Sequence, residues 1–307
     1  MDWALFITQC LNGLQLGMLL FLLASGLTLI FGIMDFVNLA HGSLYMVGAY
    51  LCATLTQWTG SFFLALLLAL PATAVVGIAI EVVIIRALYQ RDHLDHVLAT
   101  FGLILCFDTL VQMTWGPEGM AIPLPAWING HVTLLLDIAF PTYRLLIILV
   151  GLVVAALLYA IVNHTRLGMR IRAGASNRAM VGALGVNIQS LFTIVFALGA
   201  VLAGLAGLMI APITEASIGM GNEIIIVAFV VIIIGGIGSI KGAFVGALVV
   251  GLIDTMGRAF LDDLLTWVMS AQHAETAAPA LSAMLIYMLM AVILAFRPQG
   301  LFPPRGR

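Results

Sequence analysis

The chain has 307 residues, 63% apolar and only 8% charged, with a formal net charge of −2. A soluble domain carries roughly 25% charged residues, so this composition excludes one and predicts an all-α, polytopic membrane bundle. The near-neutral balance says nothing about nucleic acid, no basic tail offers to bind it, and no nucleic-acid partner is expected beside the lipid membrane. Cys10, Cys52 and Cys106 lie in apolar runs without CxxC or His-paired spacing, so they read as small apolar residues and no metal site is predicted.

The first basic residue is Arg86, so the N-terminal run lacks the positive region of a secretory signal and is expected to stay in the mature protein. Apolar runs fall at about 5–31, 42–58, 61–85, 96–114, 143–162, 191–212, 223–236, 242–261 and 280–296. Most are long enough for a ~30 Å hydrocarbon core, and 223–236 is short. The stretch 31–42 reads either as a loop or as a break in one discontinuous helix, which leaves eight or nine segments. Arg86 and Arg91 follow the third run, the Arg166–Arg178 cluster the fifth, and Lys241 the seventh, while Arg297, Arg305 and Arg307 close the chain. Nine alternating segments put all of them on one side, which the positive-inside rule makes cytoplasmic. The opposite loops, 115–142 and 262–278, hold Glu118, Asp137, Asp262, Asp263 and Glu275 and no Lys or Arg. The N-terminus is then outside and the C-terminus cytoplasmic.

Small residues recur every four positions at Gly238, Gly242 and Gly246, and at Gly199, Ala203 and Gly207, with Gly13 and Gly17 as a further pair. Such stripes let backbones approach in lipid and predict close helix packing. Between the first two runs, Gly26–Tyr50 carries Asp35, Asn38, His41 and Ser43 beside Gly32, Gly42 and Gly48. Non-helical polar backbone at membrane depth survives only inside protein or along a wet cavity, and broken helices offer N–H and C=O ends to a zwitterion. One reading makes Asp35, Asn38, His41, Gly42 and Ser43 a wall of a translocation path. The competing reading is a plain cytoplasmic turn. Asp108, in the middle of the fourth run, must face the bundle interior or be protonated. It reads as a packed structural carboxylate or as a coupled proton site. Asp254 and Arg258, four apart with the acid first, suit an ion pair. Glu81 and Arg86 are expected to reach the interface by snorkelling.

The longest polar interruption is Thr165–Ser190, with Arg166, Arg170, Arg172 and Arg178 among the chain's twelve basic residues. Ser176 suits an N-cap, Asn177–Leu184 a helix of roughly 12 Å, and Gly185 the left-handed residue after it. Met180, Val181 and Leu184 would give this helix a small apolar face. It is either a docking element or a basic loop resting on anionic headgroups. No GxSxG elbow, HExxH pair or GxxxxGK[ST] loop occurs, so no enzyme is predicted and any ATP site must lie on another subunit.

Three ordered motifs carry a family likeness: GLTLIFGIMDFVNLAHGSLYMVGAY (Gly26–Tyr50), TRLGMRIRAGASNRAMVGALGVN (Thr165–Asn187) and IIIGGIGSIKGAFVGALVVGL (Ile232–Leu252). Through them nearly the whole chain resembles the permease subunits of branched-chain amino-acid ABC transporters, and the first of the two paired permeases more than the second. The resemblance implies a single permease domain over 1–307, with a cytoplasmic coupling loop at 163–190. It also implies a related second permease, two cytoplasmic ATP-binding subunits that hold ATP and Mg, and a periplasmic or extracellular substrate-binding protein. No cofactor is expected on this chain, and the bacterial inner membrane is the implied location. The coupling helix would be Asn177–Leu184, with Arg178, Met180, Val181, Leu184 and Gly185 at the ATPase. Ser43 stands where the family often has Glu, Lys241 where it has Pro, and an acidic residue common near Ser176–Asn177 is missing. These departures leave the substrate open, since related permeases carry urea or short amides. A stand-alone secondary transporter using Asp108 is the rival class.

Overall fold

The structure, a computed structural model, describes residues 3–133, 138–267 and 270–303. Among them every apolar run forms a helix, and seven helices are long and apolar enough to cross a membrane. These are α1 (Trp3–Met34), α3 (Phe62–Val83), α4 (His93–Trp115), α5 (Thr142–His164), α8 (Ile188–Thr214), α10 (Ile240–Leu265) and α11 (Ala271–Phe296). Two shorter helices, α2 (His41–Thr59) and α9 (Met220–Gly235), sit among them, and α6 (Arg166–Ser176) and α7 (Arg178–Ala183) connect α5 to α8. A small antiparallel ribbon, β1 (His131–Thr133) against β2 (Ala139–Pro141), lies in the connection between α4 and α5 of this all-α bundle. Asp137, Arg305 and Arg307, used above for orientation, lie outside the described residues.

Short polar side chains start the helices by accepting from amides that would otherwise be unpaired. Ser61 accepts from Leu64 N, Thr165 from Gly168 N, Asn187 from Ser190 N and Ser239 from Gly242 N. The α1 helix forms the centre and is largely buried, with α10 and α8 packed on it and α2 on α8. Glycines set these contacts. Gly13 and Gly17 meet the α10 backbone around Ala247–Leu252, Gly199 meets Gly26, and Gly207 meets the Tyr45 carbonyl. Gly242 and Gly246 bring α10 onto α9 at Gly235 and Val231. Gly238 is not on that stripe. It precedes α10 with φ +85° and lies beside Gly32, because Ser239 takes the cap and the helix begins after it.

Helix register gives depth. Arg144, early in α5, donates to Asn12 of α1, and a Cβ on Gly151 would meet Met18. Val162, near the other end of α5, shares a cavity with Thr28. So α5 covers α1 from Asn12 to beyond Thr28, and Leu23 falls in the middle third of the span. Arg86, Arg172, Arg178 and Lys241 all gather at the Met34 end of α1, which we call the basic end. At the opposite end Arg258 is paired with Asp254 through two bonds of 2.9 and 3.1 Å, as the spacing predicts.

Candidate functional site

The polar break is confined to residues 35–40, between two separate helices. Asp35 closes α1, its amide donating to the Phe31 carbonyl and its φ of 52° lying in the left-handed region that Asp tolerates better than most residues. Phe36, Asn38 and Ala40 are buried, and the Leu39 amide donates to Thr100 Oγ1 of α4. His41, the first residue of α2, places Nε2 3.2 Å from the Leu23 carbonyl oxygen. Leu23 is eleven residues short of Met34, about 16 Å along the α1 axis. The chain therefore climbs back into the bundle after α1, and α2 begins in the middle third of the span. A plain turn at the basic end is excluded by that depth.

A second helix begins at the same place. Gly42 and Gly221 touch backbone to backbone, and a Cβ on either would overlap the other's carbonyl. From this junction α9 runs to the basic end, where Gly235 meets Gly242. Two helix N-termini, each with a partial positive charge, thus converge within the bundle. Their first amides are drawn into tight turns, with Ser43 N donating to Ala40 O at 3.0 Å and Asn222 N to Gly219 O at 2.8 Å.

Around the junction several buried polar atoms find no partner in the protein. Both amide atoms of Asn38, Ser43 Oγ and His41 Nδ1 are unpaired, with side chains at most 1% exposed, and the buried Tyr50 OH, further along α2 beside Trp115, is unpaired as well. Each such atom costs roughly 1–3 kcal/mol, and in a native protein it calls for a functional reason. Asp108 joins the same region, accepting a 2.8 Å bond from Asn222 Nδ2 next to Gly221. It is half-buried there. Gly221, Asn222, Tyr50 and Thr100 are additions that the sequence did not single out. The one signal was the shortness of 223–236.

The polar connection between α5 and α8 is two helices rather than a loop with one. Ser176 ends α6, and Asn177 caps α7 by accepting from Met180 N at 2.9 Å, so α7 starts one residue later than predicted. Gly185 follows with φ +86°, as the left-handed position requires. The apolar face is divided. Val181 is 7% exposed and packs inward, whereas Met180 and Leu184 are 58% and 77% exposed. Leu184 and Gly185 also border a groove of about 390 Å³ with Arg170 at its edge. Arg178 turns back into the protein. It donates to the Met34 carbonyl at 3.1 Å and lies 3.9 Å from the Asp35 carboxylate. The short helix α7 is thus tied to the residue where α1 gives way to the break.

Glu81 does not snorkel. It is fully buried and accepts from Arg86, Tyr89 and Thr193, which joins α3 to the start of α8. Burial first, and the Glu81 carboxylate second, push the Tyr89 phenol well above its usual value, so it serves as a neutral donor. No group of three or more His, Cys, Asp or Glu residues able to hold a metal ion occurs among the described residues.

Comparison with known proteins matches residues 9–294 to the family described as branched-chain amino acid transport system, permease component. The chain is 29% identical to the high-affinity branched-chain amino acid transport permease protein BraD of Pseudomonas aeruginosa, over 96% of this chain and 95% of that one. It is 29% identical to LivH of Escherichia coli, over 83% and 87% of the two chains. The ribose import permease protein RbsC of E. coli is 27% identical over 76% of this chain and 72% of its own. No solved structure matches the chain.

Proposed function

Because the chain belongs to the permease-component family of branched-chain amino acid transport systems, we propose that it is the membrane-spanning subunit of an ATP-driven importer for branched-chain or related amino acids. The observation that carries this reading is the Gly42–Gly221 junction, where two helix N-termini and the unpaired Asn38 and Ser43 meet in the middle third of the span. Helix N-termini favour a carboxylate, and unpaired amide and hydroxyl groups supply hydrogen bonds without a fixed charge. A zwitterion crossing here would meet both. His41 and Gly42 shape the same wall, and Asp35 stands at its basic end. With the path closed, these groups are buried. Opening it is a population shift between two packings of the helices around the junction.

In this reading the basic end is cytoplasmic, in a bacterial inner membrane, with the N-terminus outside. A related permease pairs with the chain, two ATP-binding subunits dock at α7 and carry ATP and Mg, and a binding protein delivers substrate to the opposite face. Met180, Leu184 and Gly185 form the docking surface, with Val181 holding α7 to its own bundle. Arg178 transmits movement, because any displacement of α7 pulls on the Met34 carbonyl and on Asp35 at the start of the break. A neutral solute such as urea or a short amide is the second reading. The unpaired Asn38 amide suits it, and the ribose permease shows that a related chain serves an uncharged cargo.

The experiment is a mild-detergent pull-down of the tagged chain with uptake measured in parallel. The wild type is expected to bring down a related permease and a Walker-type ATPase. Met180→Asp with Leu184→Asp is expected to lose the ATPase while the chain stays folded. Arg178→Ala is expected to keep the ATPase and lose most uptake. An ATPase that remains bound to the double aspartate variant, with normal uptake, would overturn the docking assignment.

A further inference from the structure

At the basic end, away from the junction, a cavity of about 710 Å³ opens between α1, α5, α6 and α10. Its walls include Thr28 and Ile33 of α1, Tyr159 and Val162 of α5, Arg172 of α6 and Lys241 of α10. The two cations hang on one face of α5. Lys241 Nζ lies 5.9 Å from the centre of the Tyr159 ring, and Arg172 donates to the Val162 carbonyl three residues on. Neither forms an ion pair among the described residues. Below them, Thr28 is 1% exposed and its Oγ1 has no partner in the protein. Tyr159 is 51% exposed, so the mouth of the cavity opens on the perimeter of the bundle.

We infer that this cavity binds the headgroup of an anionic phospholipid from the leaflet at the basic end. Two unpaired cations at the rim match one phosphodiester, and basic pockets between membrane helices on this side suit anionic headgroups. The buried Thr28 hydroxyl can donate to an ester or glycerol oxygen deeper in the cavity. A zwitterionic lipid carries the same phosphodiester with its own cation beside it, and so gains less from the pair. Because α6 leads directly into α7, a lipid held by Arg172 also braces the helix that Arg178 ties to α1.

Native mass spectrometry of the full chain in detergent tests this, with phosphatidylglycerol and phosphatidylcholine of the same acyl chains as probes. Phosphatidylglycerol is expected to be retained at least tenfold more tightly. Arg172→Gln with Lys241→Gln is expected to remove that preference, at roughly fivefold per cation. Arg166→Gln, a change of charge on α6 away from the cavity, is expected to keep it. If the double variant fails to fold, Thr28→Val removes only the buried hydroxyl and is expected to lower retention a few fold. Equal retention of the two lipids, or unchanged preference in these variants, overturns the proposal. Displacement of the lipid by millimolar glycerol 3-phosphate also overturns it, by assigning the cavity to a free anion.

Discussion

Two buried polar regions of this chain are built on opposite terms. In the first, the Glu81 carboxylate takes hydrogen bonds from Arg86, Tyr89 and Thr193, and both of its oxygens are used. In the second, Asn38 and Ser43 are as deeply buried, and their side-chain polar atoms lack partners. The first region gains stability from its polar groups and ties α3 to α8. The second holds its polar groups at a cost in stability, on a glycine contact that brings two helix N-termini together. A saturated network resists change in its surroundings. An unsaturated one favours whatever arrives to complete it, which is the property a transport path needs.

The largest expected effect is at the glycine contact. In Gly42→Leu the new side chain must displace the Gly221 carbonyl, with Ile225 close behind it. We expect a loss of about 3 kcal/mol or more, since backbone on both sides leaves little room to relax. The measurement is the fraction of monodisperse protein recovered by size exclusion, and normal recovery would show that the junction is looser than described. The next largest effect is at the saturated network. Glu81→Ala strands Arg86, Tyr89 and Thr193, and should cost about 3 kcal/mol, the low end for a buried pair because the Arg86 side chain is 34% exposed. Thermal unfolding should record that loss, while uptake per folded molecule stays near wild type. A fall in uptake without a fall in stability would erase the distinction between the two regions.

The apolar runs marked every long helix because, in lipid, a backbone can satisfy itself only within a helix, so length and hydropathy are enough. The cap of α7 was missed by one residue because Ser176 and Asn177 are both good caps, and Asn177 holds the extended backbone that lets its oxygen reach Met180 N. The direction of Val181 could not be read, since its facing depends on how α7 sits against the bundle. Gly238 looked like part of a stripe by spacing alone, and its positive φ is visible only in the fold. The meeting of Gly42 with Gly221, and of Asp108 with Asn222, joins residues far apart in sequence, beyond what periodicity can report. The brevity of α9 hinted at it: sixteen residues span about 24 Å, short of a ~30 Å core.

The most direct measurement is Asn38→Leu, with thermal stability and substrate uptake recorded on the same reconstituted importer. Leucine keeps the branched four-atom skeleton of asparagine, with bulkier methyl ends, and removes two unpaired polar atoms from a site that is 1% exposed. We expect a melting temperature equal to or above wild type, together with at least a tenfold loss of uptake. A variant that melts lower and transports normally would show that Asn38 serves the fold, and the junction would then be a packing contact only.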